Sequence, residues 1–163
     1  MSELPEGAIA IVDRTRAGEI LCSPKRRALF AHLISIGGPW ERPPAGLSSI
    51  ATRLRLVFAD AATQGAGGPS REDIERLVRF AQGVDLRRGG LLVQCQAGIS
   101  RSSAAAMIIL AVIHGPGREG DAARDVLRAN PQARPNQRML ELGGDVLGRG
   151  DALVRAWSAV TGT

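Results

Sequence analysis

Leu91-Leu92-Val93-Gln94-Cys95-Gln96-Ala97-Gly98-Ile99-Ser100-Arg101-Ser102-Ser103-Ala104-Ala105-Ala106-Met107-Ile108-Ile109-Leu110-Ala111-Val112-Ile113-His114 holds an apolar strand, a tight loop and a helix in immediate succession. Leu91 to Val93 is a β-type run that leads straight into Cys95. The run of Ala, Met, Ile and Leu after Arg101 forms a helix, and Gly98 sits at the middle of the loop between them. A strand–loop–helix of this kind aims several backbone N–H groups, together with a helix N-terminus, at one spot, and such a spot attracts an anion.

The loop carries a thiol and a guanidinium six positions apart, Cys95 and Arg101. A thiol at the mouth of an anion nest, beside a helix N-terminus and a fixed arginine, is expected to ionise easily and to act as a nucleophile. Arg101 is expected to grip two oxygens of the bound anion in bidentate fashion, which a lysine does not imitate. A phosphate ester is the natural electrophile for this pair.

The segment Cys95-Gln96-Ala97-Gly98-Ile99-Ser100-Arg101-Ser102 resembles the signature loop of the cysteine-dependent protein tyrosine phosphatases, and its wording is most similar to the dual-specificity and small bacterial branch. A Walker loop would need Gly-Lys-[Ser/Thr], which is absent here. The resemblance implies a phosphatase working through a cysteinyl-phosphate, with Gln96, Ala97, Gly98, Ile99, Ser100 and Arg101 binding phosphate. It implies a general acid on a separate strand-to-loop junction, and Asp60, 35 residues before Cys95, suits that place. Asp73 in a helix cap and Asp85 in a turn are the poorer candidates. Ser102, next to Arg101, is expected either to bond the departing thiolate or to cap the helix. Gln137 is a candidate for positioning water, and Ala133-Arg134-Pro135-Asn136 looks like the family segment that buttresses the loop. One departure stands out. Relatives usually carry His before the Cys, where this chain has Gln94. Gln donates a hydrogen bond without a charge, so the loop is expected to form around a slower thiol.

The 163 residues suit one phosphatase-like domain over 1–163. β-type runs at Ala8–Val12, Ala31–Ile36 and Arg53–Ala59 alternate with helical stretches over 14–30, 70–81, 120–129, 137–147 and 152–160. The alternation predicts an α/β fold, a mostly parallel central sheet of about four or five strands with helices on both faces, tyrosine-phosphatase-like in the light of the resemblance. Ligands of such sheets bind beyond the carboxyl ends of the strands, where Asp60 and Cys95 both fall. Ser70-x-x-Asp73 has the capping-box pattern, and Gly65–Pro69 before it is expected to be mobile. Trp40, in the Gly- and Pro-rich loop 37–49, suits either an anchor to the core or a rim residue packing on a substrate ring, the anchor being preferred.

The net charge is +5, nearly all of it arginine, with Lys25 the one lysine. Such a balance favours anionic partners: a phosphorylated substrate, most naturally a protein, with phosphate or sulfate filling the loop. Aromatic content of 3% without Tyr makes nucleic acid unlikely as a partner. No apolar run spans a membrane, and the opening residues carry no secretory pattern. Two cysteines form no disulfide framework, which with a reactive thiol points to a cytoplasmic setting. Cys22 is expected to be an ordinary buried small side chain, the lesser reading being a redox partner of Cys95. No cofactor is expected, and no Cys/His cluster has metal spacing. Gly115–Gly120 matches Gly-x-Gly-x-x-Gly, but it follows a helix rather than a strand. The rival to an enzyme is a catalytically weak relative that keeps the phosphate nest. A further alternative is a phosphoinositide or RNA phosphatase.

Overall fold

The computed structural model describes residues 4–63, 65 and 67–163. Four strands form one all-parallel sheet in the order β1-β4-β2-β3: β1 Ile9–Val12, β2 Phe30–Gly37, β3 Thr52–Val57 and β4 Gly90–Gln94. The order follows from hydrophobicity. β4 is buried along its whole length and β2 from His32 onward, as central strands of a parallel sheet require. Leu33 and Leu92 face each other in register, as do Ile34 and Val93, and all four are fully buried. Each such side chain contributes about 1.5–3 kcal/mol by leaving water.

Helices cover both faces. On one lie α1 (Arg14–Leu21) and the turn Leu47–Ser49, over a small core of Ile20, Leu21, Leu33, Ile50 and Leu92. The short α2 (Pro24–Arg27) follows α1; Ser23 caps it and Pro24 opens it, so the helical stretch read over 14–30 is two helices. The other face carries α3 (Arg71–Gln82), α4 (Arg101–His114) and α5 (Glu119–Ala129), packed on β3, on β1, β2 and β4, and on β1 respectively. Behind them pack α6 (Gln137–Leu147) and α7 (Ala152–Thr161). Among the described residues, no helix is long and apolar enough to cross a membrane.

Helix α4 is apolar all round and buried from Arg101 to Ala111, so it forms the centre of the main core. The capping box at Ser70 is complete: Ser70 Oγ accepts from Asp73 N at 3.2 Å and Asp73 Oδ2 accepts from Ser70 N at 2.9 Å. The expected mobility of Gly65–Pro69 falls partly on Ala66, which lies outside the described residues. β3 ends at Val57 rather than Ala59. The chain leaves the sheet there, and the next carbonyl, that of Phe58, accepts from Arg101 Nη1 at 2.8 Å. Asp60 therefore stands on the loop beyond β3, while Cys95 follows β4 directly.

Candidate active site

The loop from Cys95 to Arg101 is held from outside by its carbonyls. Gln96 O accepts from Arg14 N at 3.2 Å, Ile99 O from Arg134 N at 3.0 Å and Ser100 O from Asn136 N at 3.1 Å. Gly98 O accepts from Asn130 Nδ2 at 2.7 Å. Tying the carbonyls outward leaves the amides facing the other way, which is how a backbone anion nest is built. Gly98 is needed for two reasons. Its φ is +71°, and a Cβ there would stand 2.6 Å from Asp13 N and from Val12 C.

Cys95 is only 2% exposed and has two partners. Its Sγ accepts from Gly98 N at 3.2 Å and lies 3.1 Å from the buried Ser102 Oγ. The Ser102 hydroxyl accepts from a thiol and donates to a thiolate. Ser102 is the second residue of α4, not its cap; Ser100 holds the cap position, and its Oγ donates to Asp60 Oδ1 at 2.8 Å.

Arg101, 5% exposed, is fixed on both sides. Nη1 donates to Phe58 O, and Nη2 donates to Glu41 Oε1 at 2.9 Å and Oε2 at 3.2 Å. Its Nε is buried without a protein partner. Glu41 was not evident from the sequence: it lies among Gly and Pro residues and meets Arg101 across 60 positions. The one signal was a lone carboxylate in a loop that ends a β-type run.

Asp60 is exposed, and its Oδ1 accepts from both Ser100 Oγ and Asn136 Nδ2, each at 2.8 Å. The other two carboxylates are elsewhere. Asp73 closes the α3 capping box, and Asp85 precedes β4 at the opposite end of the sheet from Cys95. The side chain of Arg87, donating to Asp85, holds its carboxyl below the usual range. The segment Ala133–Asn136 does buttress the loop, through Arg134 N and Asn136 N. Gln137 is exposed and donates to Glu141 Oε1 at 3.1 Å, on the surface of α6. Gln94 is buried, and its Oε1 accepts from Ser35 Oγ at 2.6 Å, so its partner is a neighbouring strand. Trp40 is 97% exposed, which overturns the anchor reading: it stands in the turn Gly38–Glu41, where Glu41 N bonds to Gly38 O and the indole has no apolar wall to meet. Cys22 is exposed and free, which overturns its expected burial: it caps the C-terminal end of α1 at the surface.

No family model and no curated protein matches the sequence. Solved structures do. DUSP15 superposes with a TM-score of 0.65 at 22% identity, covering 99% of this chain and 94% of that one. Human DUSP28 gives 0.61 at 18% identity over 95% and 94% of the two chains. PTPMT1 in complex with PI(5)P gives 0.59 at 15% identity over 85% and 90%.

Proposed function

We propose that this chain, which has the fold of the dual-specificity phosphatases, hydrolyses phosphate monoesters through a cysteinyl-phosphate. The observation that carries the reading is the sulfur of Cys95, set between the Gly98 amide and the Ser102 hydroxyl inside a loop whose carbonyls are tied outward. That setting suits an ionised nucleophile facing a bound oxyanion.

In the first step the Cys95 thiolate attacks phosphorus. The S–P bond forms as the P–O bond to the leaving group breaks. Loop amides from Gln96 to Arg101 and the Arg101 guanidinium take the charge on the three equatorial oxygens. Asp60 gives its proton to the departing alkoxide or phenoxide. Because Ser100 and Asn136 occupy Oδ1, Oδ2 is the oxygen that carries the proton. In the second step water attacks phosphorus, Asp60 Oδ2 takes a proton from it, and the S–P bond breaks. Orthophosphate leaves, and Ser102 Oγ donates to the thiolate that re-forms. The substrate class is a phosphoprotein, phosphotyrosine or dual-specificity. Phosphoinositide remains the second reading, because one structure of this fold is a complex with PI(5)P.

Turnover of para-nitrophenyl phosphate in the presence of EDTA tests the reading. Hydrolysis by the native chain and none by Cys95→Ser is expected. Tight phosphate binding without turnover would instead make the chain a phosphate-reading module.

A further inference from the structure

Gln94, Ser35 and Arg55 lie in one row across three strands. Ser35 pairs in register with Gln94 of β4 on one side and with Arg55 of β3 on the other. Their side chains are joined in the same order. Ser35 Oγ donates to Gln94 Oε1 at 2.6 Å and accepts from Arg55 Nη1 at 2.8 Å. Arg55 Nη2 then donates to the carbonyl of Glu41 at 3.3 Å. Glu41 Oε1 is held by Gly38 N at 2.7 Å and by Arg101 Nη2 at 2.9 Å. The row thus starts at the residue before Cys95 and comes back to the site at Arg101.

The end of β2 is cut to fit this row. A Cβ on Gly37 would stand 2.5 Å from Arg55 Nη2, and one on Gly38 would stand 2.7 Å from Glu41 Oε1. Successive glycines therefore clear room for the guanidinium and then for the carboxylate. Electrostatics couples the same three charges. Burial lowers the Arg55 pKa from its ordinary value, the Glu41 charge raises it in part, and the like charge of Arg101 lowers it again. Arg55 stays a cation throughout, so Glu41 is held by two guanidinium groups, its main-chain carbonyl by Arg55 and its carboxylate by Arg101.

We propose that Arg55 is a positioning residue for Arg101, acting through Glu41 and held in turn by Ser35 and Gln94. The inference rests on the phosphatase reading for its consequence in catalysis, and on anion binding alone for its geometry. In this chain Gln94 accepts a hydrogen bond from the β2 side of the row, and the row reaches Arg101 through Arg55 and Glu41.

The test compares the native chain with Arg55→Met, Arg55→Lys, Ser35→Ala, Glu41→Gln and the Arg55→Met/Glu41→Gln double variant. Three readouts are taken: para-nitrophenyl phosphate kinetics, protection of Cys95 from iodoacetamide by orthovanadate, and the rate of that alkylation without vanadate. A displaced binding group costs about tenfold to a hundredfold, so Arg55→Met is expected to lose about that much in kcat/KM and in vanadate affinity. Its unprotected alkylation should stay near the native rate, because the sulfur and its donors are untouched. Arg55→Lys should recover part of the loss, and Ser35→Ala should show a smaller one. Glu41→Gln keeps the main-chain carbonyl that Arg55 holds but weakens the side chain's grip on Arg101, so in that background Arg55→Met should cost less than in the native chain. Native vanadate affinity in Arg55→Met, or an undiminished cost in the Glu41→Gln background, overturns the proposal. If Arg55→Met does not fold, Arg55→Lys and Ser35→Ala decide it by the same readouts. A native chain without turnover removes the phosphatase reading, and the vanadate series then decides the role of Arg55 by itself.

Discussion

Asn136 Nδ2 donates to Asp60 Oδ1 at 2.8 Å, joining the entrance of α6 to the loop after β3 across 76 positions of sequence. The same side chain donates to Ala61 O at 2.9 Å, and its Oδ1 caps α6 by accepting from Met139 N at 2.9 Å. Asn136→Asp separates these duties. The carboxylate still caps the helix, but it offers Asp60 a like charge instead of a donor. Thermal stability is expected to stay within a few degrees of native, while hydrolysis of alkyl phosphates falls by about tenfold or more as the acid is displaced. Native kinetics in that variant would show that Asp60 needs no orientation from α6.

Asp60→Asn tests the acid itself. General acid catalysis contributes about 10²–10⁴-fold, and it matters most where the leaving group is a poor one. Alkyl phosphates should therefore lose about that factor, and para-nitrophenyl phosphate far less. A series of aryl phosphates of graded leaving-group acidity gives the measurement, as a steeper dependence of rate on leaving group. Equal losses along the series would remove Asp60 as proton donor.

Gly98→Ala addresses the nest. A left-handed backbone costs a non-glycine residue about 1–2 kcal/mol, and the new methyl would meet Val12 C and Asp13 N at 2.6 Å. Either the loop or the end of β1 must move. Loss of vanadate protection at Cys95 is expected, with a lower midpoint in urea unfolding. A variant that kept both native stability and protection would show that the loop does not depend on this conformation.

What was legible in the sequence is what is short in sequence. The spacing from Cys95 to Arg101, the box from Ser70 to Asp73 and the bounds of α6 from Gln137 to Leu147 are all set by neighbours a few residues apart. Strand runs such as Ala31–Ile36 were legible because parallel central strands are apolar on both faces. The missed features come from residues far apart in sequence. Glu41 reaches Arg101 across 60 positions, Ser35 reaches Gln94 across 59, and Asn130 reaches Gly98 across 32. Nothing in local propensity marks such pairs, since each is a polar residue in an ordinary turn or strand until the sheet register brings it to its partner. Trp40 departs from its expected burial for the opposite reason. Size and apolarity favour burial on average, but a tight turn whose carboxylate serves Arg101 leaves the preceding side chain outside.

Ser102→Ala separates the two chemical steps. Ser102 Oγ lies 3.1 Å from Cys95 Sγ and is fully buried, so no water replaces it directly. Its hydrogen bond matters most when the sulfur bears full negative charge as the leaving group of the second step. A hydrogen bond to a charged group is worth about 1.5–3 kcal/mol, or about tenfold to a hundredfold in rate. With para-nitrophenyl phosphate the variant should release a burst of nitrophenol, near one equivalent per site, and then turn over slowly. Quenching during the slow phase should trap the phosphorylated Cys95. The phosphate has to form at its usual pace for that to occur, so the burst also reports that the Gly98 amide alone is enough to hold the attacking thiolate. Uniform slowing of both phases, without a burst, would place the hydroxyl in the first step and leave the second to Asp60.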